Sequence, residues 1–226
     1  MRTPQQIGKK GSLKWLQLLI NKYPKILNEE LNSKLNFDSS SIEWVSPKEE
    51  DEYAEYRDKA FLNVLGLGAY QNKLKEFWSK SGPQWDALGK LGSKQYLLLE
   101  AKANIPEIVS SCQAKNPKSL EKIDSSIRKT KDFLGVKDGS GWTQGYYQYS
   151  NRLCHLFFLR EMCGLDAYLI FLYFCNDKTH ISTSKEEWKI ALDNQKKIMA
   201  LNSLLTDINV VDIFVNTEKI MIEPVV

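Results

Sequence analysis

The amino-acid sequence predicts an α/β protein in which helices flank a mixed central sheet. Two apolar runs, at residues 95–103 and 167–175, have the length and composition of buried strands, and the alternating segment 210–215 predicts a third. Between them lie segments whose apolar residues recur every three or four positions, which is typical of amphipathic helices. Strands that alternate with helices along a chain favour a layered α/β fold.

Length and composition narrow the organisation of the chain. Its 226 residues can form one sizeable core and show no linker, so we expect a single domain over residues 1–226. Residues 1–40 form a helical N-terminal extension in this interpretation, and residues 41–226 form the core. The formal net charge of +3 is too small to indicate a polyanionic partner by bulk electrostatics, so any nucleic-acid site must be local.

The cysteines and the apolar segments indicate the cellular compartment in which the protein is expected. The four cysteines contain no C-x-x-C pair and suggest reduced thiols. The N-terminal segment has no continuous apolar region of the signal-peptide type, and residues 167–175 are too few to cross a bilayer as a helix. We therefore expect a cytoplasmic protein that does not associate with a membrane.

The first third of the chain is predicted to be mainly helical. Ser12 is expected to cap a helix that spans residues 13–31 and bends at Pro24. Residues 42–45 form a short run before the next helix. Ser46 and Pro47 then predict the start of a second helix that reaches Gly66, and a third helix is expected over residues 71–80.

The remaining elements begin with a hairpin. Residues 85–88 and 95–103 are its predicted strands, with a turn around Gly89 to Gly92 and with the second strand central in the sheet. Helices are predicted after it: a short one from Pro106 and longer ones over residues 119–134, 143–163 and 184–205, the first of these capped by Ser119.

The central strand carries two charges in an otherwise apolar run. Because side chains alternate along a strand, Leu98, Glu100 and Lys102 share one face, while Leu99 and Ala101 point to the other. The apolar face can pack beneath helices. Burial of an unpaired charge costs several kcal/mol, so the charged face requires a solvated cleft, an ion or mutual pairing.

The hairpin brings a second carboxylate towards this face. Asp86 lies on the preceding strand and can converge with Glu100 to within metal-ligand distance, with Lys102 beside them. Such hard oxygen ligands suit Mg²⁺ or Mn²⁺ bridged to a substrate phosphate. A metal ion there would assist hydrolysis of a phosphodiester, and the lysine would orient the attacking water or stabilise negative charge.

These residues resemble a known superfamily. WDAL followed by LLLEAKA is similar to the motif of the PD-(D/E)xK nucleases, which have the restriction-endonuclease-like fold. GPQWDALG, the EAKA strand and YQYSNRL also resemble a bacterial family of that superfamily without an assigned substrate, over roughly residues 41–200. The resemblance implies that Asp86 and Glu100 are metal-binding acids and that Lys102 is the catalytic lysine. Pro83 departs from the motif, because it lies three positions before Asp86.

The resemblance also implies an additional acid on the helix before the hairpin. The candidates are Glu52, Glu55 and Asp58, and Glu55 is favoured because it lies among aromatic residues in YAEYRD. The alternative is that these acids only complement the helix dipole at an exposed N-terminal turn.

A helix after the lysine strand supplies further candidates. Gln148, Asn151, Arg152 and His155 recur at helical spacing, and the resemblance implies that Gln148, Asn151 and Arg152 bind substrate or organise the site. The alternative is a polar stripe that faces solvent. His155 could be a general base, but a lone histidine beside an apolar face is more often a hydrogen-bonded core residue.

The partner is therefore expected to be nucleic acid, with DNA favoured. Basic residues that could contact phosphates without reading sequence lie at the hairpin turn and after the central strand, and their alternative is an ordinary solvated surface: Lys90, Lys94, Lys115, Lys118, Lys122, Arg128, Lys129 and Lys131. The oligomeric state is left open, with a homodimer as one option. The alternative function is a catalytically inactive binding or interaction module that keeps the nuclease fold.

Overall fold

The computed structural model describes residues 1–35, 42–201, 205 and 208–222, and its centre is a five-stranded mixed sheet. The strands are β1 (Arg2–Thr3), β2 (Ile42–Ser46), β3 (Glu55–Tyr56), β4 (Ala87–Leu91), β5 (Gln95–Lys102), β6 (Ser110–Ser111), β7 (Gln144–Gly145), β8 (Asp166–Cys175) and β9 (Val210–Asn216). The helices are α1 (Gly11–Asn21), α2 (Pro24–Leu35), α3 (Lys59–Val64), α4 (Gln71–Phe77), α5 (Pro117–Phe133), α6 (Tyr147–Phe157), α7 (Lys185–Ile198) and α8 (Thr217–Ile222). The α/β class and the helix-flanked mixed sheet are confirmed.

The strand order of the central sheet is β2-β4-β5-β8-β9, so β5 is the middle strand, as expected. β4 pairs antiparallel with both β2 and β5, whereas β5, β8 and β9 are mutually parallel. The hairpin turn begins at Gly92, whose φ of 58° lies in the left-handed region that glycine adopts readily. Gly89 is paired inside β4 and is not part of the turn, which corrects that expectation.

Each face of the sheet is covered by its own hydrophobic core. Leu97, Leu99 and Ala101 of β5 pack with apolar residues of α1, α2 and β9. Leu98 points to the opposite face and packs with residues of α5, α6 and α7. The predicted division of β5 into an apolar face and a charged face is therefore correct, and α1 and α2 of the N-terminal segment cover the apolar one.

The helices near the N-terminus differ from the prediction. The helix expected over residues 13–31 is two helices, because α1 ends at Asn21 and α2 begins at Pro24, where proline lacks the N–H that would continue the first helix. Ser12 does not cap α1, since it lies inside that helix.

The prediction of one helix over residues 46–66 is wrong. A short 3₁₀ turn, Glu49–Asp51, is followed by β3 and then by α3. Two physical reasons are visible: Glu52 and Asp58 have φ of 54° and 53°, which end a right-handed helix, and β3 pairs with β1. That pairing joins segments about fifty residues apart, so no local pattern indicates it.

The later helices differ from their predicted bounds. Asn116, and not Ser119, caps α5, because its side chain accepts the Ser119 N–H. α4 ends at Phe77, α6 starts after the small strand β7 and continues as a π-helical turn, and α7 ends at Ile198, so Leu205 lies outside it. No helix of the described residues is long and apolar enough to span a bilayer.

Candidate active site

A cleft of about 640 Å³ opens where β4 begins and β5 ends. Its walls come from the segment before β4, the end of β5, the region between β6 and α5, and the start of α6. All the residues predicted for the site from the sequence line this one cleft: Glu55, Asp86, Glu100, Lys102, Gln148, Asn151 and Arg152.

Asp86 is positioned by the edge of the hairpin. It immediately precedes β4, whose first residue, Ala87, pairs with Leu99 of β5. Asp86 Oδ2 accepts the backbone N–H of Ala101 at 2.8 Å, so the side chain continues the hydrogen bonding of the hairpin beyond the last paired residue. This contact brings the first predicted acid beside the charged end of β5.

Glu100 is buried and is paired with two cations. Its Oε1 lies 2.6 Å from Lys102 Nζ, and its Oε2 lies 2.7 Å from Arg152 Nε and 2.5 Å from Arg152 Nη2. Burial alone would raise the pKa of the Glu100 carboxyl, but the charges of Arg152 and Lys102 outweigh burial and lower it. Glu100 is therefore a carboxylate at neutral pH. Its ion pairs with Lys102 and Arg152 explain how this charge is tolerated in the interior.

Arg152 organises the interior of the site. Its side chain is only 5% exposed, and its Nη1 donates to Asn151 Oδ1 at 2.7 Å. Nη2 also donates to the carbonyl oxygen of Gln84 at 2.9 Å, and the guanidinium lies 5.1 Å from the ring centroid of Trp85. With these partners, Arg152 supports Glu100 from the wall of the cleft.

Lys102 is held with its ammonium group at the cleft. Nζ donates to Gln148 Oε1 at 3.0 Å in addition to Glu100, and the side chain is 14% exposed. Burial would lower the pKa of this ammonium, but the negative charges of Glu100 and Asp86 raise it. Lys102 therefore carries a positive charge at neutral pH, and its ammonium group is hydrogen-bonded to Gln148 as well as paired with Glu100.

Glu55 is the acid of the YAEYRD segment that reaches the cleft. It lies on β3 and not on a helix, which corrects the predicted setting. Its Oε2 accepts Gln84 Nε2 at 2.6 Å and Gln5 Nε2 at 3.0 Å. Of the other two candidates, Glu52 is exposed and pairs with Arg2, and Asp58 accepts the Gly82 N–H.

Two of the three carboxyl groups, Asp86 and Glu55, have raised pKa values. Burial raises the pKa of Asp86 well above its usual value, and the charges of Glu100 and Glu55 raise it further. Burial also raises the pKa of Glu55, and Glu100 adds to that effect, while the hydrogen bond from Gln84 opposes it. The cluster therefore contains negative charge that its two cations do not fully compensate.

The donor set fits a hard divalent cation that keeps several waters. Among the described residues no hydrogen-bond donor reaches Asp86 Oδ1 or Glu55 Oε1, so each acid retains one oxygen for a metal. The same residues contain no group of three or more His, Cys, Asp or Glu side chains arranged to hold a metal ion. Mg²⁺ typically binds through one or two carboxylates and completes its shell with water and substrate, so two acids suffice.

His155 lies outside the carboxylate cluster. It is buried against Phe61, Trp78 and Trp85, with Nδ1 at 2.8 Å from the carbonyl oxygen of Asn151. Burial lowers the pKa of His155 to about 3, so the imidazole is neutral. Of the two interpretations of His155 drawn from the sequence, the hydrogen-bonded core residue matches this environment.

The predicted basic residues divide by position. Lys115 lines the cleft together with Lys80, which sequence reasoning did not single out. Lys90 and Lys94 lie at the turn end of the hairpin, opposite the end that carries Asp86. Lys122 Nζ donates to the carbonyl oxygen of Lys75. Of the predicted basic residues, only Lys115 thus contributes to the walls of the cleft.

Sequence reasoning also missed two glutamines, Gln84 and Gln5, that bind Glu55. Gln84 is adjacent to the recognised motif in GPQWD, but an isolated glutamine has no periodic signal. Gln5 is brought to the site by long-range contacts such as the pairing of β1 with β3, which no local pattern indicates.

Comparison of the chain with models of protein families, with curated proteins and with solved structures found no match. The geometry of the cleft and the residues of its motif are therefore the basis for assigning an activity.

Proposed function

We propose that this protein is a divalent-metal-dependent nuclease that hydrolyses phosphodiester bonds in nucleic acid, with DNA the favoured substrate. One observation carries the proposal: Glu55, Asp86 and Glu100, from three separate segments, line one cleft beside the charged Lys102, and their charges repel one another. A divalent cation would relieve that repulsion, and a phosphodiester would bring the negative charge that Lys102 attracts.

Mg²⁺ or Mn²⁺ would be held by Asp86 and Glu55 through their free oxygens, with Glu100 as the third acid of the cluster. The ion would polarise a phosphoryl oxygen and lower the pKa of a bound water. Glu100 has both oxygens engaged by cations. Its main task in this arrangement is to fix Lys102 and Arg152, and any metal contact would be shared with them.

Lys102 contributes electrostatic stabilisation. Because its neighbours raise the pKa of the ammonium, it remains protonated and is unsuited to remove a proton from water. A fixed positive charge is suited to stabilise the additional negative charge that develops on the phosphoryl oxygens in the transition state. Gln148 restricts its position by accepting one of its three N–H groups.

One observation favours a second function, a binding module without catalysis. The Arg152–Glu100–Lys102 cluster pairs the buried carboxylate of Glu100 without a metal ion. A chain that kept these pairs could keep the fold and bind nucleic acid without cutting it.

Calorimetric titration with Mn²⁺ separates the two functions, using wild type and Asp86→Asn. The nuclease requires binding to wild type, at least a tenfold loss in Asp86→Asn, and Mg²⁺- or Mn²⁺-dependent cleavage of at least one substrate. The substrates are single-stranded, duplex and branched DNA and RNA. If wild type binds nucleic acid but neither Mn²⁺ nor any cleavage is detected, the binding module replaces the nuclease.

A further inference from the structure

The position of Glu55 depends on two glutamine side chains from different parts of the chain. Gln84 Nε2 and Gln5 Nε2 approach the same oxygen, Oε2, at 2.6 and 3.0 Å. Two amide donors on one oxygen fix the plane of the carboxylate and occupy that oxygen. Oε1 is thereby left as the oxygen of Glu55 that can serve a cation.

Glu55 needs such support because its own element is small. β3 contains two residues, and it is held by pairing with β1 and by a bridge between Tyr56 and Trp85. A carboxylate on a short segment lacks the rigidity that a long strand gives to Glu100. The hydrogen bonds from the side-chain amides of Gln84 and Gln5 restrain the Glu55 carboxylate instead.

Gln84 also connects Glu55 to the other acids. Its carbonyl oxygen accepts Arg152 Nη2, and Arg152 binds Glu100, while Asp86 follows only two residues later. The side chain of Gln84 thus fixes one acid and its backbone fixes the support of a second. Gln84 is therefore in contact with one acid and with the cation that pairs with another.

Gln5 brings the N-terminal segment into the site. Its backbone N–H donates to the carbonyl oxygen of Glu52 at 3.0 Å, and Arg2 pairs with Asp51 and Glu52. These contacts hold residues 1–5 along the segment that leads to Glu55. Residues 1–5 therefore contact Glu55 from behind the lining of the cleft, while α1 and α2 cover the sheet.

We propose that Gln84 and Gln5 are positioning residues that orient the Glu55 carboxylate so that its second oxygen and Asp86 can share one divalent cation. This inference rests on the proposed nuclease function and names the groups that prepare its metal site. Neighbours that orient metal ligands typically change metal affinity by 10- to 100-fold when they are removed.

The test replaces each glutamine with methionine, which has a similar length but cannot donate a hydrogen bond. A matched control is Gln95→Met, because Gln95 Nε2 donates to Asp166 Oδ2 at the same 2.6 Å but lies at the far end of β5. Mn²⁺ affinity is measured by calorimetry, and the electron paramagnetic resonance spectrum of bound Mn²⁺ reports its ligand environment. Thermal unfolding of each metal-free variant shows whether the fold is kept.

We expect Gln84→Met to bind Mn²⁺ at least tenfold more weakly than wild type and with an altered spectrum. Gln5→Met should weaken binding less, in line with its longer hydrogen bond, and Gln95→Met should match wild type. Excess Mn²⁺ should restore kcat in Gln84→Met, whereas KM for the nucleic acid should not change.

Two failures are distinguishable. If wild type binds Mn²⁺ and cleaves but Gln84→Met, folded, has the same affinity and spectrum, the positioning inference is overturned while the nuclease stands. If wild type neither binds Mn²⁺ nor cleaves any substrate, the nuclease itself is overturned, and the positioning inference falls with it. A change as large in Gln95→Met would assign the effect to general loss of packing and overturn the inference as well.

Discussion

The guanidinium of Arg152 binds the buried carboxylate of Glu100 through two nitrogens that approach the same oxygen, Oε2, at 2.7 and 2.5 Å. Lys102 takes the other oxygen at 2.6 Å. A carboxylate buried between two cations is stable only while both remain, because removal of one partner leaves an uncompensated charge in the interior. This relationship makes the charged face of β5 a structural element as well as a candidate reaction site.

The first prediction concerns this pair. Arg152→Met should lower the free energy of unfolding by about 3–5 kcal/mol, the cost found when one partner of a buried ion pair is removed. Urea denaturation at neutral pH measures the effect. Arg160→Met is the control, because Arg160 lies 3.5 Å from Asp166 in a more exposed pair and should cost about 1 kcal/mol or less. Equal losses in the two variants would contradict a special role for Arg152.

Lys102→Met should separate chemistry from metal binding. The proposed role is to stabilise charge on the phosphate, so we expect kcat to fall by roughly 10²–10³ while Mn²⁺ affinity stays within a few-fold of wild type. Single-turnover cleavage and calorimetry measure the two quantities. Lys189→Met provides the control, since Glu187 and Lys189 repeat the same spacing on α7, away from the cleft. Loss of Mn²⁺ binding together with cleavage would contradict the assignment.

Asp86→Asn should make the metal-free protein more stable at neutral pH. The pKa of Asp86 is raised in the fold by burial and by the charges of Glu100 and Glu55. The folded state therefore binds the proton more tightly than the unfolded state, and stability falls as pH rises from the unfolded pKa through the folded one. Asparagine removes this slope and can still accept the Ala101 N–H through Oδ1.

Urea denaturation of wild type and Asp86→Asn from pH 4 to pH 8 tests this prediction. The two curves should separate progressively as pH rises, with the variant above the wild type. Asp193→Asn, at an exposed position of α7, should follow the wild-type curve. An Asp86→Asn variant that is less stable than wild type at pH 7 would show that the carboxylate is not under electrostatic strain.

The cap of α5 gives a prediction that does not depend on function. Asn116 Oδ1 accepts the Ser119 N–H at 3.2 Å, so Asn116→Ala should cost about 1 kcal/mol of stability. Ser119→Ala should change stability by no more than about 0.5 kcal/mol, as is usual for a surface position. Chemical denaturation of the two variants compares them directly. A larger loss of stability in Ser119→Ala than in Asn116→Ala would support Ser119 as the N-cap, as the sequence alone indicates.

The sequence could predict what local patterns determine. Residues 95–103, 167–175 and 210–215 were recognisable as strands because burial on both faces leaves continuous or alternating apolar runs. Glu100 and Lys102 stood out because charges in such a run require an explanation. The same alternation correctly separated the two faces of β5.

Long-range contacts explain what the sequence could not predict. β3 forms because β1 pairs with it, and acidic residues after Ser46 and Pro47 otherwise have the composition of a helix start. Arg152 was placed in a polar stripe of its helix, but its burial depends on Glu100, 52 residues earlier. Gln84 and Gln5 were missed for the same reason, since their partner is identifiable only in three dimensions.

The register of the hairpin that turns at Gly92 determines the position of the acids at its other end. Leu91 pairs with Gln95 across this turn, and from there the register runs unbroken to Ala87 opposite Leu99 and to Asp86 beside Ala101. A slip of one residue would exchange the two faces of β5 and place Glu100 beneath α1 and α2. A one-residue slip in the pairing of β4 with β5 would therefore disrupt both the core and the carboxylate cluster. The register of this hairpin is thus as much a determinant of the site as the identity of its acids.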